Sequence, residues 1–290
     1  MKNTKSFGRL FVVVASVAAM AFALLILAGC GGASNSSSES SSSSGEQVQL
    51  QIFAANSLEK ALPQVQELYT QSHPNVTFAD SQFKASGDLV EEIEAGASAD
   101  ILITASKSTM DDAEGFIIPE TRTTMFGNDL VVCAAEDSDI KIKKLTDLKK
   151  KNIKKIAIGD SSLVPAGKYA NQSLASYEGG QLYTSSEGEG GKYDSSIADK
   201  VVLADKVGTC ASWVASGNVD VGFVYTSDLY RYDGIKNVYT VPEEYHKPIT
   251  YPGAVLSDSK NQEVAQDFIN FCMTDPDALA VWQDNGFELK

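Results

Sequence analysis

The stretch GDLVEEIEAGASADILITA, residues 87–105, contains a helix pattern followed directly by a strand pattern. In its first half, Leu89, Val90 and Ile93 fall on one face of a helix, and Gly96 is a typical helix stop. Its second half is a short apolar run, which is typical of a strand. Because helices that alternate with strands build α/β layers, this stretch indicates the α/β fold class.

The same alternation continues on both sides of this stretch. Further strand patterns are LQIFAA (50–55), VTFAD (76–80), DLVVCAA (129–135), KIAIGD (155–160) and VDVGFVY (219–225). Further helix patterns are LPQVQELYTQ (62–71), PAGKYANQSLASY (165–177), KVGTCASWVASG (206–217), NQEVAQDFINFCM (261–273) and DPDALAVWQDNG (275–286). This order predicts largely parallel sheets flanked by helices. The Gly- and Ser-rich stretch 178–196 interrupts the order and is predicted to be a surface loop.

Prolines mark the predicted beginnings of three helices. Pro63 and Pro165 suit the first turn of a helix, and Pro276 follows Asp275, a typical N-cap residue. We therefore expect residues 57–62 to form a separate tight turn before the first helix.

The first 29 residues have the pattern of an export signal. Lys2, Lys5 and Arg9 precede a long apolar run, a pattern that a membrane-anchoring helix also shows. The run ends in LAGC, residues 27–30, which resembles the bacterial lipobox. That resemblance implies cleavage before Cys30 and a diacylglycerol on its sulfur. We expect a signal peptide at 1–29 and an extracytoplasmic protein anchored to the cell membrane through Cys30.

Residues 30–46 are dominated by serine and glycine, so we expect a flexible tether ahead of a folded part that begins near Gln47. The predicted signal peptide holds three positive residues and no acid, so its removal takes the formal net charge from −14 to −17. A strongly acidic chain disfavours a nucleic-acid partner. Any bound anion must therefore be held by local dipoles against the field of the whole molecule.

Cysteine and histidine give no sign of a metal site. Cys133, Cys210 and Cys272 are widely spaced in apolar stretches, so we expect buried thiols, with one disulfide among them left open because the protein is exported. The two histidines, His73 and His246, lie outside metal-ligand spacing.

Ser57 and Lys60 spell S-x-x-K, the nucleophile and base spacing of penicillin-recognising serine acyltransferases. Enzymes of that class also carry S-D-N and K-T-G elements, and neither string occurs in this sequence. An acyltransferase is therefore a weak alternative, and we expect a protein without catalytic residues or cofactors.

Several strands are followed by segments that lead into helix N-termini, where unpaired N–H groups point outward. These segments are FAANSL (53–58), FKASGDL (83–89), GDSSLVPAGKY (159–169) and ADKVGTCA (204–211). Tyr225 ends a further strand and offers a phenol. Hydroxyls and main-chain N–H groups with few charges suit a fully ionised tetrahedral oxyanion. Taken singly, Ser57 and Ser86 are better explained as ordinary helix caps, and only their arrangement with the other segments favours a ligand role.

The chain resembles the molybdate-binding proteins of bacterial ABC transporters, a family with the type II periplasmic-binding-protein fold. The resemblance spans nearly the whole folded part and is carried by FAANSL, SGDLVEEIEAGASADILITAS, GNDLVV, IGDSSLVPAGKYA, VGFVYTSD, YPGAV and NGFELK. The family's ligand positions fall on Ser57, Ser86, Ala166, Val207 and Tyr225. By this resemblance, Ala166 and Val207 bind through main-chain N–H groups, the serines through hydroxyls and neighbouring amides, and Tyr225 through its phenol.

Three features depart from the family pattern. Asn56 stands where alanine is common, and Lys84, Gly87 and Asp88 replace small or hydroxyl residues around Ser86. The stretch between Tyr177 and Val201 is longer than usual, which leaves Val207 the least secure of the five ligand positions.

The resemblance also implies the architecture. It predicts two lobes, residues 47–126 with 251–290 and residues 127–250, each a mixed, mostly parallel sheet flanked by helices. A hinge joins the lobes, and the ligand binds in the cleft between them. The implied function is capture of molybdate, and also tungstate, by a monomer that delivers it to an ABC permease. Sulfate or phosphate stays open as the ligand, because cavity size and donor geometry cannot be read from the sequence.

Overall fold

The structure is a computed structural model that describes residues 47–289. The predicted signal peptide, Cys30 and the tether lie outside the described residues. Within residues 47–289, none of the helices has the length and apolar character needed to cross a membrane.

The strands of the described residues are β1 (Val48–Leu50), β2 (Ile52–Ala55), β3 (Val76–Phe78), β4 (Gln82–Lys84), β5 (Ile101–Ile103), β6 (Thr123–Gly127), β7 (Leu130–Ala135), β8 (Ile156–Gly159), β9 (Val201–Ala204), β10 (Val221–Tyr225), β11 (Ile235–Thr240), β12 (Thr250–Val255) and β13 (Glu288–Leu289). The helices are α1 (Leu62–Ser72), α2 (Ser86–Glu94), α3 (Lys107–Asp112), α4 (Pro165–Ser176), α5 (Val207–Ala215), α6 (Thr226–Arg231), α7 (Gln262–Thr274) and α8 (Pro276–Asp284). Helices and strands alternate along most of the chain, which confirms the predicted α/β class.

Two larger sheets organise these elements. One has six strands in the order β13-β6-β12-β5-β2-β4, and the other has five in the order β11-β7-β10-β8-β9. The strands β1 and β3 form a further, two-stranded parallel sheet. We call the parts of the chain around these sheets the six-stranded half (48–127 and 250–289) and the five-stranded half (130–240). The predicted lobe boundaries, 47–126 with 251–290 and 127–250, stay a prediction.

Both sheets are mixed, as predicted, but their antiparallel share is larger than the expected mostly parallel arrangement. β4 and β5 run parallel to β2, whereas β12 is antiparallel to both β5 and β6. In the other sheet β8 is parallel to β9 and β10, whereas β7 is antiparallel to β10 and β11. The antiparallel strands β6, β7, β11 and β12 carry the chain from one sheet to the other and back. Parallel neighbours are usually connected by a helical crossover, whereas antiparallel neighbours do not need one. Antiparallel pairing is therefore open to these four strands.

The predicted helix starts are confirmed. Residues 56–58 form a separate 3-10 turn, and α1 begins at Leu62 with Pro63 in its first turn. Pro165 begins α4, and Pro276 begins α8 after Asp275, whose carboxylate accepts the N–H groups of Asp277 and Ala278, both at 3.0 Å.

The core is built from the inner faces of both sheets and the helices that pack on them. Trp282, Phe126 and Tyr251 are fully buried, and the ring centroids of Phe126 and Trp282 lie 4.5 Å apart. Cys133, Cys210 and Cys272 are buried free thiols, so the disulfide that the sequence left open is not formed among the described residues. Burial raises the pKa of the Cys133 thiol to about 12, which keeps it protonated and unreactive.

Candidate functional site

A small cavity between the two halves brings together all five of the predicted ligand residues. Its lining residues in the six-stranded half are Ala55, Asn56, Ser57, Lys84, Ala85, Ser86 and Ala105. Those in the five-stranded half are Val164, Pro165, Ala166, Val207 and Tyr225. The cavity is small, with a volume of about 10 Å³, so it suits a solute of a few atoms rather than a sugar or a peptide.

Ser57 is held in place by a hydrogen bond to a buried tyrosine. Its Oγ lies 2.8 Å from Tyr251 Oη, and Asn128 Nδ2 donates to the same phenol oxygen at 3.3 Å. Because the phenol oxygen already accepts from Asn128, Tyr251 is the better donor to Ser57. In that arrangement the hydroxyl hydrogen of Ser57 is left to donate into the cavity.

Ser86 is the first residue of α2, and its side chain does not cap that helix. Its Oγ accepts the N–H of Ala105 at 3.0 Å, which leaves its own hydrogen to be donated. Ser57 likewise makes no side-chain cap. The alternative that these serines are ordinary helix caps is therefore wrong.

Two helix N-termini of the five-stranded half supply main-chain donors. Pro165 begins α4 and has no N–H, so Ala166 carries the first N–H of that helix. Val207 is the first residue of α5. The next N–H, that of Gly208, is already accepted by Asn56 Oδ1 at 3.1 Å. The first N–H groups of a helix lack intrahelical partners, so Ala166 and Val207 are suited to an anion.

Tyr225 is the last residue of β10 and is 1 % exposed. Its Oη has no hydrogen-bond partner among the described residues, although it lines the cavity. Burial raises the pKa of this phenol well above its ordinary value, so it stays protonated and can donate. A buried hydroxyl without a partner is unfavourable in an empty protein and favourable toward a ligand that accepts its hydrogen.

Charge is sparse around the cavity. Among the described lining residues Lys84 is the only one with a cationic side chain, and its ammonium is paired with Glu92. No lining residue within the described part of the chain is an aspartate or a glutamate. The site therefore offers neutral donors and no carboxylate that could accept a proton from a ligand.

The S-x-x-K pair does not have the geometry of a nucleophile and its base. Lys60 Nζ donates to the carbonyl oxygen of Tyr230, whereas Ser57 Oγ is bonded to Tyr251. The lysine is therefore not in place to accept a proton from Ser57.

The two halves also meet directly beside the cavity. The N–H of Gly87 in α2 donates to the carbonyl oxygen of Leu163, 3.0 Å away, just ahead of α4. A Cβ at position 87 would lie 2.8 Å from the Cα of Leu163, so only glycine allows this approach. Gly87 is one of the predicted departures from the family pattern, but nothing in the sequence predicts its contact with Leu163.

A mixed α/β fold whose two sheets enclose a small cavity lined with neutral donors defines a solute-binding protein. The chain belongs to the bacterial extracellular solute-binding proteins, since the sequence pattern of that family matches residues 50–288. This membership places it among binding proteins rather than enzymes.

Three comparisons support the assignment. The lipoprotein YvgL of Bacillus subtilis (strain 168) is 31% identical over 246 residues, which are 83% of this chain and 87% of YvgL. The molybdate-binding protein ModA of Escherichia coli (strain K12) is 32% identical over 252 residues, 84% of this chain and 91% of ModA. A substrate-binding domain from Clostridium difficile has a TM-score of 0.61 and 35% identity, and the match covers 84% of this chain and 99% of that domain.

Proposed function

We propose that this chain is an extracytoplasmic substrate-binding lipoprotein that captures molybdate, and also tungstate, and delivers it to the permease of an ABC transporter. The observation that carries the proposal is the buried phenol of Tyr225, which lines the cavity without a partner among the described residues. The hydroxyls of Ser57 and Ser86 and the N–H groups of Ala166 and Val207 line the same cavity. Together they form a set of neutral donors suited to a dianion.

The chemistry of the lining also ranks the oxyanions. Phosphate keeps a proton near neutral pH and is best held by a site with a carboxylate acceptor, which the described lining lacks. Molybdate and sulfate are fully ionised and need only donors. Size separates these two, and the 32% identity to a molybdate-binding protein favours the larger ion. Tungstate is nearly the same size as molybdate, so the same cavity should bind both.

The membrane anchor and the partner are part of the same proposal. Lipidation of Cys30 is supported by the LAGC sequence and by the similarity to YvgL, whose name is that of a lipoprotein. Delivery to a permease is supported by the similarity to transporter proteins, and a monomer suffices because one chain supplies both sides of the cavity.

Thermal unfolding with a panel of oxyanions tests the ligand. At a concentration about 100 times the dissociation constant, a ligand adds about 2.7 kcal/mol to the stability of the native state. We expect molybdate and tungstate each to raise the Tm by roughly 5 to 10 °C. Sulfate and phosphate at the same concentration should raise it by less than about 2 °C. Equal shifts with molybdate and sulfate would refute the assigned specificity.

A further inference from the structure

A polar cluster beside the cavity joins the two halves without using the donors assigned to the anion. We call it the Asn56–Arg231 cluster, and its members are Asn56, Glu59, Gly208 and Arg231. Asn56 and Glu59 follow β2 in the six-stranded half, whereas Gly208 and Arg231 belong to α5 and α6 in the five-stranded half. Asn56 is 4 % exposed and the side chain of Arg231 is 6 % exposed, so the contacts between these two residues are shielded from water, whereas the side chain of Glu59 is 53 % exposed.

Asn56 uses both its side chain and its main chain in this cluster. Its Oδ1 accepts the N–H of Gly208 at 3.1 Å and Arg231 Nη2 at 3.0 Å. Its carbonyl oxygen accepts from Arg231 Nη1. Its Nδ2 donates to Glu59 Oε2 at 3.3 Å, and the same carboxylate oxygen pairs with Arg231 Nη1 at 3.2 Å. Three of these four bonds join Asn56 to the opposite half.

The guanidinium of Arg231 is oriented by its own half before it reaches the other. Arg231 Nη2 donates to the buried carboxylate of Asp228 at 2.8 Å, and its guanidinium carbon lies 4.6 Å from the centre of the Tyr232 ring. The other oxygen of Asp228 accepts the N–H of Tyr225 at 2.9 Å. The cluster is thus connected to two of the cavity residues of the five-stranded half, to Tyr225 through Asp228 and to Val207 through Gly208.

The fit of the cluster depends on the absence of a side chain at position 208. A Cβ there would lie 2.6 Å from Asn56 Oδ1 and 2.3 Å from Tyr232 Oη. The start of α5 can approach Asn56 this closely only because residue 208 is glycine.

We infer that the Asn56–Arg231 cluster is a latch that holds the two halves together over the bound anion, with Asn56 and Arg231 as positioning residues. Its bonds between the halves exist only when the halves are in contact, so they stabilise the closed state relative to the open one. The ligand must wait for these bonds to break before it leaves, so the latch acts mainly on the rate of release. The identity of the anion rests on the proposed function, whereas the contacts of the latch do not.

Stopped-flow kinetics of molybdate binding to the purified protein tests the latch. We expect Asn56→Ala to raise the dissociation rate constant roughly 10- to 100-fold, because it removes two bonds between the halves, one of them to a charged donor. The association rate constant should change less than about threefold, because the anion-binding donors are kept. Glu59→Gln, which removes the negative charge that pairs with Arg231 but keeps the Asn56 side chain, should show a smaller increase in the dissociation rate constant. Asn237→Ala is the matched control, since among residues 47–289 the side-chain amide of Asn237 bonds only to Thr240, in the same strand β11.

X-ray scattering of the ligand-free proteins separates the failure of the latch from the failure of the proposed function. We expect Asn56→Ala to have a larger radius of gyration than the wild type and the Asn237→Ala control. If molybdate binds, an unchanged dissociation rate constant in Asn56→Ala overturns the latch. If molybdate does not bind to the wild type, the proposed function fails, and an unchanged radius of gyration then overturns the latch.

Discussion

At the residue scale, the phenol of Tyr225 is a buried donor without a hydrogen-bond partner among the described residues. A buried phenol without a hydrogen-bond partner costs the empty protein free energy that an accepting ligand returns. The serines of the cavity are different, because Ser57 and Ser86 each have a protein partner as well as a hydrogen that can be donated. Removing the hydroxyl of Tyr225 should therefore change the affinity for the ligand without lowering the stability of the ligand-free protein.

Replacing Tyr225 by phenylalanine should weaken molybdate binding roughly 10- to 100-fold, because one hydrogen bond to a charged acceptor is lost. The free energy of unfolding of the ligand-free protein should stay the same or rise, because an unpaired buried hydroxyl is removed. Calorimetry and urea unfolding measure the two effects. A variant that loses stability while keeping its affinity would contradict the assigned role.

The pH profile of the wild type belongs to the same argument. A tyrosine hydroxyl donates a hydrogen bond only while it is protonated, which is below its pKa. Burial raises the pKa of Tyr225, so its phenol is deprotonated only at higher pH. The other assigned donors are hydroxyls and main-chain N–H groups, which do not titrate in this range. The dissociation constant for molybdate should therefore be constant between about pH 6 and 9. A tenfold change across that range would mean that a titrating side chain binds the ion.

Residue types at helix starts made the candidate site predictable from sequence. Serines, a proline and a glycine follow the predicted strands, and together with the family resemblance they led to five residues that line one cavity. The partners of these residues were not predictable. Asn56 and Arg231 are 175 positions apart, and neither lies in a pattern that indicates a contact with the other. Tyr251 was noticed only as part of YPGAV, with no sign that it bonds to Ser57.

At the scale of elements, the position of Ala166 depends on how closely α4 packs on β8. A Cβ at position 167 would lie 1.9 Å from the carbonyl oxygen of Gly159, so the first turn of α4 contacts the end of the strand through its backbone. The main-chain N–H of Ala166 is therefore positioned by Gly167, a residue that does not itself line the cavity.

Replacing Gly167 by alanine should lower the free energy of unfolding by about 1 to 3 kcal/mol, because the added methyl group forces α4 away from β8. The same displacement moves the N–H of Ala166, so molybdate affinity should fall as well. The control is Gly115→Ala, because no atom lies within 4 Å of the added Cβ. If urea unfolding gave the same stability for both variants, the close packing of α4 would not be needed.

Helix and strand periods in the sequence predicted the element types well because they are local. The antiparallel pairings of β6 with β12 and of β7 with β11 were not predicted, since pairing depends on contacts between distant residues. A strand that is buried on both faces, such as LVVCAA, is a continuous apolar run whether its neighbours are parallel or antiparallel. Its sequence therefore does not predict the direction of pairing.

At the scale of the whole molecule, the acidic charge opposes the arrival of an anion. The formal net charge of the whole chain is −14, whereas the donors of the cavity are neutral. Binding strength then comes from short-range hydrogen bonds, whereas the long-range field slows the encounter.

Salt should therefore speed up the association of molybdate. Raising sodium chloride from about 10 to 300 mM shortens the Debye length from roughly 30 Å to less than 10 Å and screens the repulsion. We expect the association rate constant to rise severalfold and the dissociation rate constant to change little, as measured by stopped flow. A rate that falls with salt would instead show that lysines attract the ion, for example Lys107, Lys168 and Lys247, which line a second cavity.

The contact between Gly87 and Leu163 has a consequence for the transport cycle. Two backbones meet there without an intervening side chain, so any larger residue at position 87 would act as a wedge that keeps the halves ajar. Such a protein could still meet its solute but could not enclose it. Such a variant would be held in the open conformation. With it one can test whether the permease responds to the solute itself or only to the closed conformation of the binding protein.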